Sequence, residues 1–307
     1  MSMATHHAPA PNMPRARHVH CLRWDGATQR WWWLDSAAGA LLAWSPNAAP
    51  ELRCALPDDA GAFAHCASSQ LLLCQPKRLC LASPPAMPHG RSRRGWQVRA
   101  LTSVDPAEPR TSIHEGRTDR SGFFVFGTRN DGVDARPIGS FYQYSRQHGL
   151  RRLALPAVTI ATSICFSPDG ARLYFADGLE KRILQCDYDA AGARVANLRI
   201  FADTGALPEG ATVDRDGNLW NAQAGAGQLV QFSPGGTVLQ RLAVPRGAAA
   251  SAAFGGAALD QISVVSSAGL IHLAANAIGL AEVPFDDLAA TATATAHPNT
   301  QYAVRNT

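Results

Sequence analysis

The chain has 307 residues, 46% hydrophobic and 17% charged, with 26 glycines and 20 prolines. That excludes a disordered chain and leaves room for one large all-β domain or two ordinary ones. The formal net charge is +4, but the basic residues are scattered apart from HGRSRRGW at 89–96, so no nucleic-acid surface is expected.

Seven cysteines, an odd number without a C-x-x-C pair, argue against a disulfide framework or a thiolate zinc site. The first seventeen residues carry no apolar core of the signal-peptide kind, and no apolar run approaches the ~18 residues that cross a bilayer. The expected location is the cytoplasm. The expected partner is a small molecule rather than a nucleic acid or a membrane.

In chain order, a unit recurs: RWDGATQRWWWLD (23–35), HCASSQLLLCQ (65–75), RTDRSGFFVFGT (117–128), FSPDGARLYFAD (166–177), TVDRDGNLWNAQ (212–223) and GGAALDQISVVSSAG (255–269). The clearest copies join a polar Asp- and Gly-bearing turn to a short apolar strand. Gly accepts the positive φ of a tight turn, and Asp bonds back to its own backbone. Strand centres fall near residues 33, 73, 125, 175, 220 and 264, at the spacing of four-stranded propeller blades. GSFYQYSR (139–146), RILQCDYD (182–189) and GQLVQFSP (227–234) read as third strands, and ANLRIFAD (196–203) and VLQRLAVP (238–245) as outer ones. Alternation puts Trp31 and Trp33 on one face and Trp32 on the other, as blade packing requires. The expected fold is therefore an all-β, six-bladed β-propeller with four-stranded blades around a central channel; a pair of β-sandwiches is the alternative. Its expected limits are 18–290, between a flexible tail at 1–17 and a C-terminal segment at 291–307. His6 and His7 fall in that tail and support no metal claim.

SICFSPDGARLYFAD, LPEGATVDRDGNLW and SAAFGGAALDQISVVSSA together resemble the senescence-marker-protein (regucalcin)/gluconolactonase/luciferin-regenerating-enzyme family. The likeness runs from about Val19 to about Phe285 and is strongest between 112 and 270. It implies six blades, one divalent metal at a channel mouth and, in many members, hydrolysis of sugar lactones. By this resemblance the family's metal-binding Glu, Asn and Asp fall on His20, Thr162 and Glu209. Its substrate-facing Asn falls on His114, the Arg two before it on Ser112, and the Asp of its N-D-G motif on Glu115. None of the family's metal-binding residue types is retained.

Two imidazoles and a carboxylate suit zinc or iron(II) better than calcium, which takes six to eight oxygens. The same residues could work without a metal, with Glu209 as base within hydrogen-bond reach of a histidine, His20 or His114 as proton donor and Thr162 as a hydrogen-bond donor. Glu209 and His114 are thus the candidate catalytic residues, and His20, Glu209 and Thr162 the candidate metal ligands. His114, Ser112 and Glu115 are the candidates for substrate binding. Two readings stand side by side: a lactone hydrolase with an altered site, and a non-catalytic or differently acting ligand-binding propeller.

Overall fold

The computed structural model describes residues 18–46, 48–84, 96–244 and 249–289. The HGRSRRGW run up to residue 95, His6, His7 and both expected terminal segments lie outside the described residues.

Among the described residues, 23 strands form six antiparallel sheets, each from consecutive strands. The first is β1 (Val19–Asp25), β2 (Arg30–Asp35), β3 (Ala40–Ser45) and β4 (Ala48–Ala55). The second is β5 (Ala62–His65), β6 (Leu71–Gln75), β7 (Arg78–Ser83) and β8 (Gln97–Ser103). β9 (Thr111–Thr118), β10 (Phe124–Asn130), β11 (Phe141–Ser145) and β12 (Gly149–Arg152) form the third. β13 (Ala161–Phe166), β14 (Arg172–Asp177), β15 (Arg182–Asp189) and β16 (Arg194–Asp203) form the fourth. The fifth holds β17 (Pro208–Val213), β18 (Leu219–Gln223), β19 (Gln228–Phe232) and β20 (Val238–Ala243). The sixth has three strands among the described residues: β21 (Ser251–Gly255), β22 (Gln261–Ser266) and β23 (Gly269–Leu273).

The first strand of each sheet contacts the first strand of the next, and β21 contacts β1. This closes a six-bladed ring around one channel. Each strand centre read from the repeat lies in the second strand of its blade, from β2 to β22. The turns work as their residues require. Asp119 Oδ1 accepts the backbone N–H groups of Ser121 and Phe123 at 2.8 and 2.9 Å, and Gly122 takes φ +82°. Asp214 repeats this with Asp216 and Asn218, and also receives the Trp220 indole N–H at 2.9 Å.

Apolar clusters fill the seams between blades. Trp31 and Trp33 pack with Ala253, Val265 and Leu270 where the ring closes, whereas Trp32 packs on the other side with the second blade. The opposite faces of one strand thus serve two different seams. After β23 the chain does not stop at the sixth blade. Residues 274–289 run as a strap over the end of the channel where the inner strands finish. Arg215 N–H donates to the Ile278 carbonyl, Phe285 N–H to that of His65, and Asp286 N–H to that of Gly122. The strap thereby ties the fifth, second and third blades together. No helix of the described residues is long and apolar enough to cross a membrane.

Candidate functional site

The inner strands all run in the same direction, so residues near their starts share the mouth opposite the strap. His20 and Glu209 are the second residues of β1 and β17, and His114 lies in the first half of β9. All three line one cavity of about 810 Å³, together with Ser112, Glu115, Arg117 and Arg129. The imidazoles of His20 and His114 stack with centroids 6.3 Å apart.

Bulges set these positions. The ladder skips between His20 and Arg23, between Thr162 and Cys165, and between Pro208 and Ala211. In the third blade it skips so that Ile113 pairs with Thr128 and Glu115 with Gly127, leaving His114 unpaired. A bulge re-aims the side chains beside it and bends the strand. Cys21 and Ser163, within two of these bulges, take φ of +58° and +62°, a region that ordinarily favours glycine.

Thr162 is directed elsewhere. It is buried, does not line the cavity, and its hydroxyl donates to the Pro208 carbonyl at 3.0 Å. The next residue, Ser163, donates to the Glu209 carbonyl at 2.5 Å, and Asn221 donates to the same oxygen at 3.1 Å. Thr162 therefore belongs to a clasp that fixes the backbone carrying Glu209, which leaves its hydroxyl proton committed to a carbonyl. Glu115 has a comparable holding role. Its two carboxylate oxygens accept the backbone N–H groups of Ser163 and Ile164, each at 3.0 Å, and so anchor the bulge of the fourth blade.

The electrostatics follow from burial. Desolvation lowers His20 to about 4, with a backbone hydrogen bond at Ala60 opposing and the Arg129 charge assisting. Desolvation, then His20 and Arg129, lowers His114 to about 3. Both rings are neutral at pH 7. Desolvation, with the Glu115 charge adding to it, raises Glu209 to about 7. Glu115 is raised as well, by burial against the opposing pull of Arg23 and Arg117. The Glu209 carboxylate has no hydrogen-bond partner among the described residues, so the bond to a histidine expected from sequence is not made. The carboxylate is instead open to the cavity.

The metal that the family resemblance implies finds a poor donor set. Among the described residues no group of three or more His, Cys, Asp or Glu side chains is gathered so that it could hold an ion. His20 Nε2 is buried without a partner, and the Thr162 hydroxyl is already engaged. These residues do not fit a family-type divalent centre.

Sequence reasoning missed three arginines. Arg129 lies directly opposite Ser112 in the β9–β10 ladder, and cross-strand partners share a face. A guanidinium thus reaches the cavity from the strand opposite Ser112. Its spacing from the family motif offered no signal, because register across a hairpin was needed to see it. Arg23 and Arg117 lie on inner strands, deeper along the same wall.

Residues 20–268 match the model of the SMP-30/gluconolactonase/LRE-like region. The chain belongs to this family. It is 45% identical over 156 residues to L-arabinolactonase of Azospirillum brasilense, a match that covers 50% of this chain and 51% of that one. It is 27% identical over 251 residues to 6-deoxy-6-sulfogluconolactonase of Pseudomonas putida, covering 80% and 82%. The fold is similar to that of a calcium-binding regucalcin from Agrobacterium tumefaciens, with a TM-score of 0.79 at 22% identity, covering 89% of this chain and 95% of that one. The matched part of the first relative is about half its length, so its activity is not transferred on the match alone. Relatives in this family include sugar lactonases.

Proposed function

We propose that this propeller hydrolyses a small lactone of the sugar-acid kind at the mouth cavity, with Glu209 as general base and without a resident metal. One observation carries this reading: a carboxylate free of hydrogen-bond partners among the described residues, raised to about 7, in a cavity that two neutral imidazoles also line. A base with a pKa near the working pH combines a useful ionised fraction with a strong pull on a proton. The sugar-lactonase names of relatives support the substrate class.

Glu209 takes a proton from a water as that water attacks the lactone carbonyl carbon. The carbonyl oxygen becomes an oxyanion, and Arg129, whose charge is felt at both histidines, is the cation available at that end of the cavity. The tetrahedral intermediate collapses by breaking the ring C–O bond. The leaving alkoxide takes up the water-derived proton held on Glu209; the neutral His114 ring, whose remaining N–H is far too weak an acid, does not supply it. The product is the open hydroxy acid, and one water is consumed.

The test is acid release from a panel of aldonolactones by protein stripped with a chelator. Retained activity is expected in the wild type, with a loss of about 10²–10⁴-fold in Glu209→Gln. Activity that vanishes on chelation and returns with a divalent ion would overturn the metal-free assignment. Unchanged activity in Glu209→Gln would remove Glu209 as base.

A further inference from the structure

The channel is divided across its middle by an ionic layer. From the mouth side come Arg23 and Arg117, both lining the cavity. From the far side comes Glu282 of the strap, one carboxylate shared between the two guanidiniums: Oε2 lies 3.4 Å from Arg23 Nε and Oε1 lies 3.6 Å from Arg117 Nη2. Both separations exceed the 2.7–2.9 Å of a well-formed charge-assisted bond.

The two arginines are unequally satisfied. Arg23 is 3% exposed, donates to the Gly116 carbonyl at 2.6 Å and to the Leu22 carbonyl at 3.0 Å, and has Glu282 at its Nε. Arg117 donates to the Thr212 hydroxyl at 3.2 Å through Nη1, has only the distant Glu282 at Nη2, and its buried Nε has no partner. A guanidinium presents five N–H donors, so most of those on Arg117 go unmet. Glu115 does not make up the deficit: it forms no hydrogen bond with Arg117, and its two oxygens accept the amides of Ser163 and Ile164.

We propose that Arg117, on the floor of the mouth cavity, anchors an anionic oxygen group carried by the ligand, with Glu282 as the intramolecular counter-ion that the ligand's anion supplements. For its ligand this inference rests on the lactone reading, and it narrows that class to lactones bearing a second, ionised acid group. The guanidinium fork matches a carboxylate or similar oxyanion in two-pronged geometry. The floor then fixes one end of the ligand while Glu209 and Arg129, also on the cavity wall, act on the other. Charged groups at the floor are Arg23, Arg117, Glu115 and Glu282; Asp59, Arg129, Asp131 and Glu209 also line the cavity, as do the titratable His18, His20 and His114. With Glu209 neutral the floor attracts anions best.

The experiment uses inorganic sulfate as a probe that needs no turnover. Calorimetric titration at pH 6 should show one sulfate per chain. Binding should be about tenfold tighter in Glu282→Gln, where a competing carboxylate is removed, and lost in Arg117→Gln. The opposite signs separate anchoring from a merely structural role. Glu282→Gln keeps the strap's backbone bonds, so it remains informative if Arg117→Gln fails to fold. No sulfate binding in either wild type or Glu282→Gln, or equal binding in both, overturns the anion floor. In a second arm, kcat/KM for the monolactone of a sugar diacid should exceed that for a neutral aldonolactone more than tenfold, through KM. Equal values overturn the assignment of the anion to the ligand. If no lactone is turned over at all, the proposed hydrolysis fails while the sulfate titration still judges the floor.

Discussion

The two ends of the channel are built on different principles. At the mouth, side chains from separate blades, His20, His114 and Glu209, are displayed beside strand bulges, and the Glu115 carboxylate anchors a further bulge in the fourth blade. At the far end one continuous segment, 274–289, is sewn to three blades largely through its backbone, and Phe285 sits fully buried among residues of the first three blades. Residue identity at the mouth can therefore change chemistry with little effect on the ring, whereas the far end is bound up with the stability of the whole.

The sharpest way to break this contrast is to injure each end and measure both stability and turnover. Glu209→Gln should remove 10²–10⁴-fold of the hydrolysis. It should nevertheless stabilise the protein at pH 8. The carboxyl is raised in the folded state, so its contribution is fully present below its ordinary value of 4.5 and is lost as pH rises through about 7. Removing the ionisable group should restore on the order of 2–3 kcal/mol at pH 8 and nothing at pH 4. Denaturant melts of the two proteins at both pH values check this, and a variant less stable at pH 8 would contradict the burial argument. The same ionisation predicts that wild-type kcat/KM climbs as pH rises through about 7.

Phe285→Ala should do the reverse, costing about 3–5 kcal/mol by cavity formation. It should leave kcat within a few-fold in whatever fraction remains folded. A selective loss of kcat without loss of melting temperature would mean that the strap reaches the chemistry more directly than its packing indicates.

A smaller effect is expected at the clasp between the fourth and fifth blades. Thr162→Val removes the hydroxyl donor to the Pro208 carbonyl and should cost about 1–3 kcal/mol. Because Ser163 and Asn221 still hold the Glu209 carbonyl, turnover should fall less than in Glu209→Gln. Loss of turnover equal to that of Glu209→Gln would make Thr162 a participant in the chemistry.

The mildest test concerns acid stability. His20 and His114 are lowered in the folded state, so the unfolded chain takes up protons first. Stability present above pH 6.5 should be lost as pH falls toward about 4 and then 3. His20→Gln should flatten the upper part of that fall, as seen by melting between pH 7 and 4. An unchanged acid limb would mean that the imidazole titrates as it does in water.

The fold was legible because its determinants are local. The Asp and Gly of each turn and the apolar runs behind them mark β2, β10, β14 and β18 without knowledge of the rest. Weaker signals still placed β6 and β22. The bearing of Trp31 and Trp33 against Trp32 followed from strand alternation alone. The site was legible only in part. Family spacing brought His20, His114 and Glu209 to one cavity, because equivalent places on inner strands face the same mouth. It misdirected Thr162, whose short side chain meets the carbonyl of the neighbouring blade before it can reach the channel. Arg129 was invisible because its relation to Ser112 exists only through the hairpin register. Glu282 was invisible for a different reason: it arrives from a segment beyond the last strand, across the whole width of the ring.

The strap also bears on how the ring comes apart under load. Among the described residues each blade is a sheet of consecutive strands, with no strand contributed from the opposite terminus. Such a ring could open like a bracelet at the contact of β21 with β1. The strap is its latch, since it leaves the sixth blade and fastens to the fifth, second and third. Traction on the C-terminal end would have to tear out Phe285 and its neighbouring backbone bonds before the bracelet could be pulled open. Mechanical resistance would therefore be concentrated in a few residues outside the blades, and cutting the chain just after β23 would free the clasp while leaving every sheet intact.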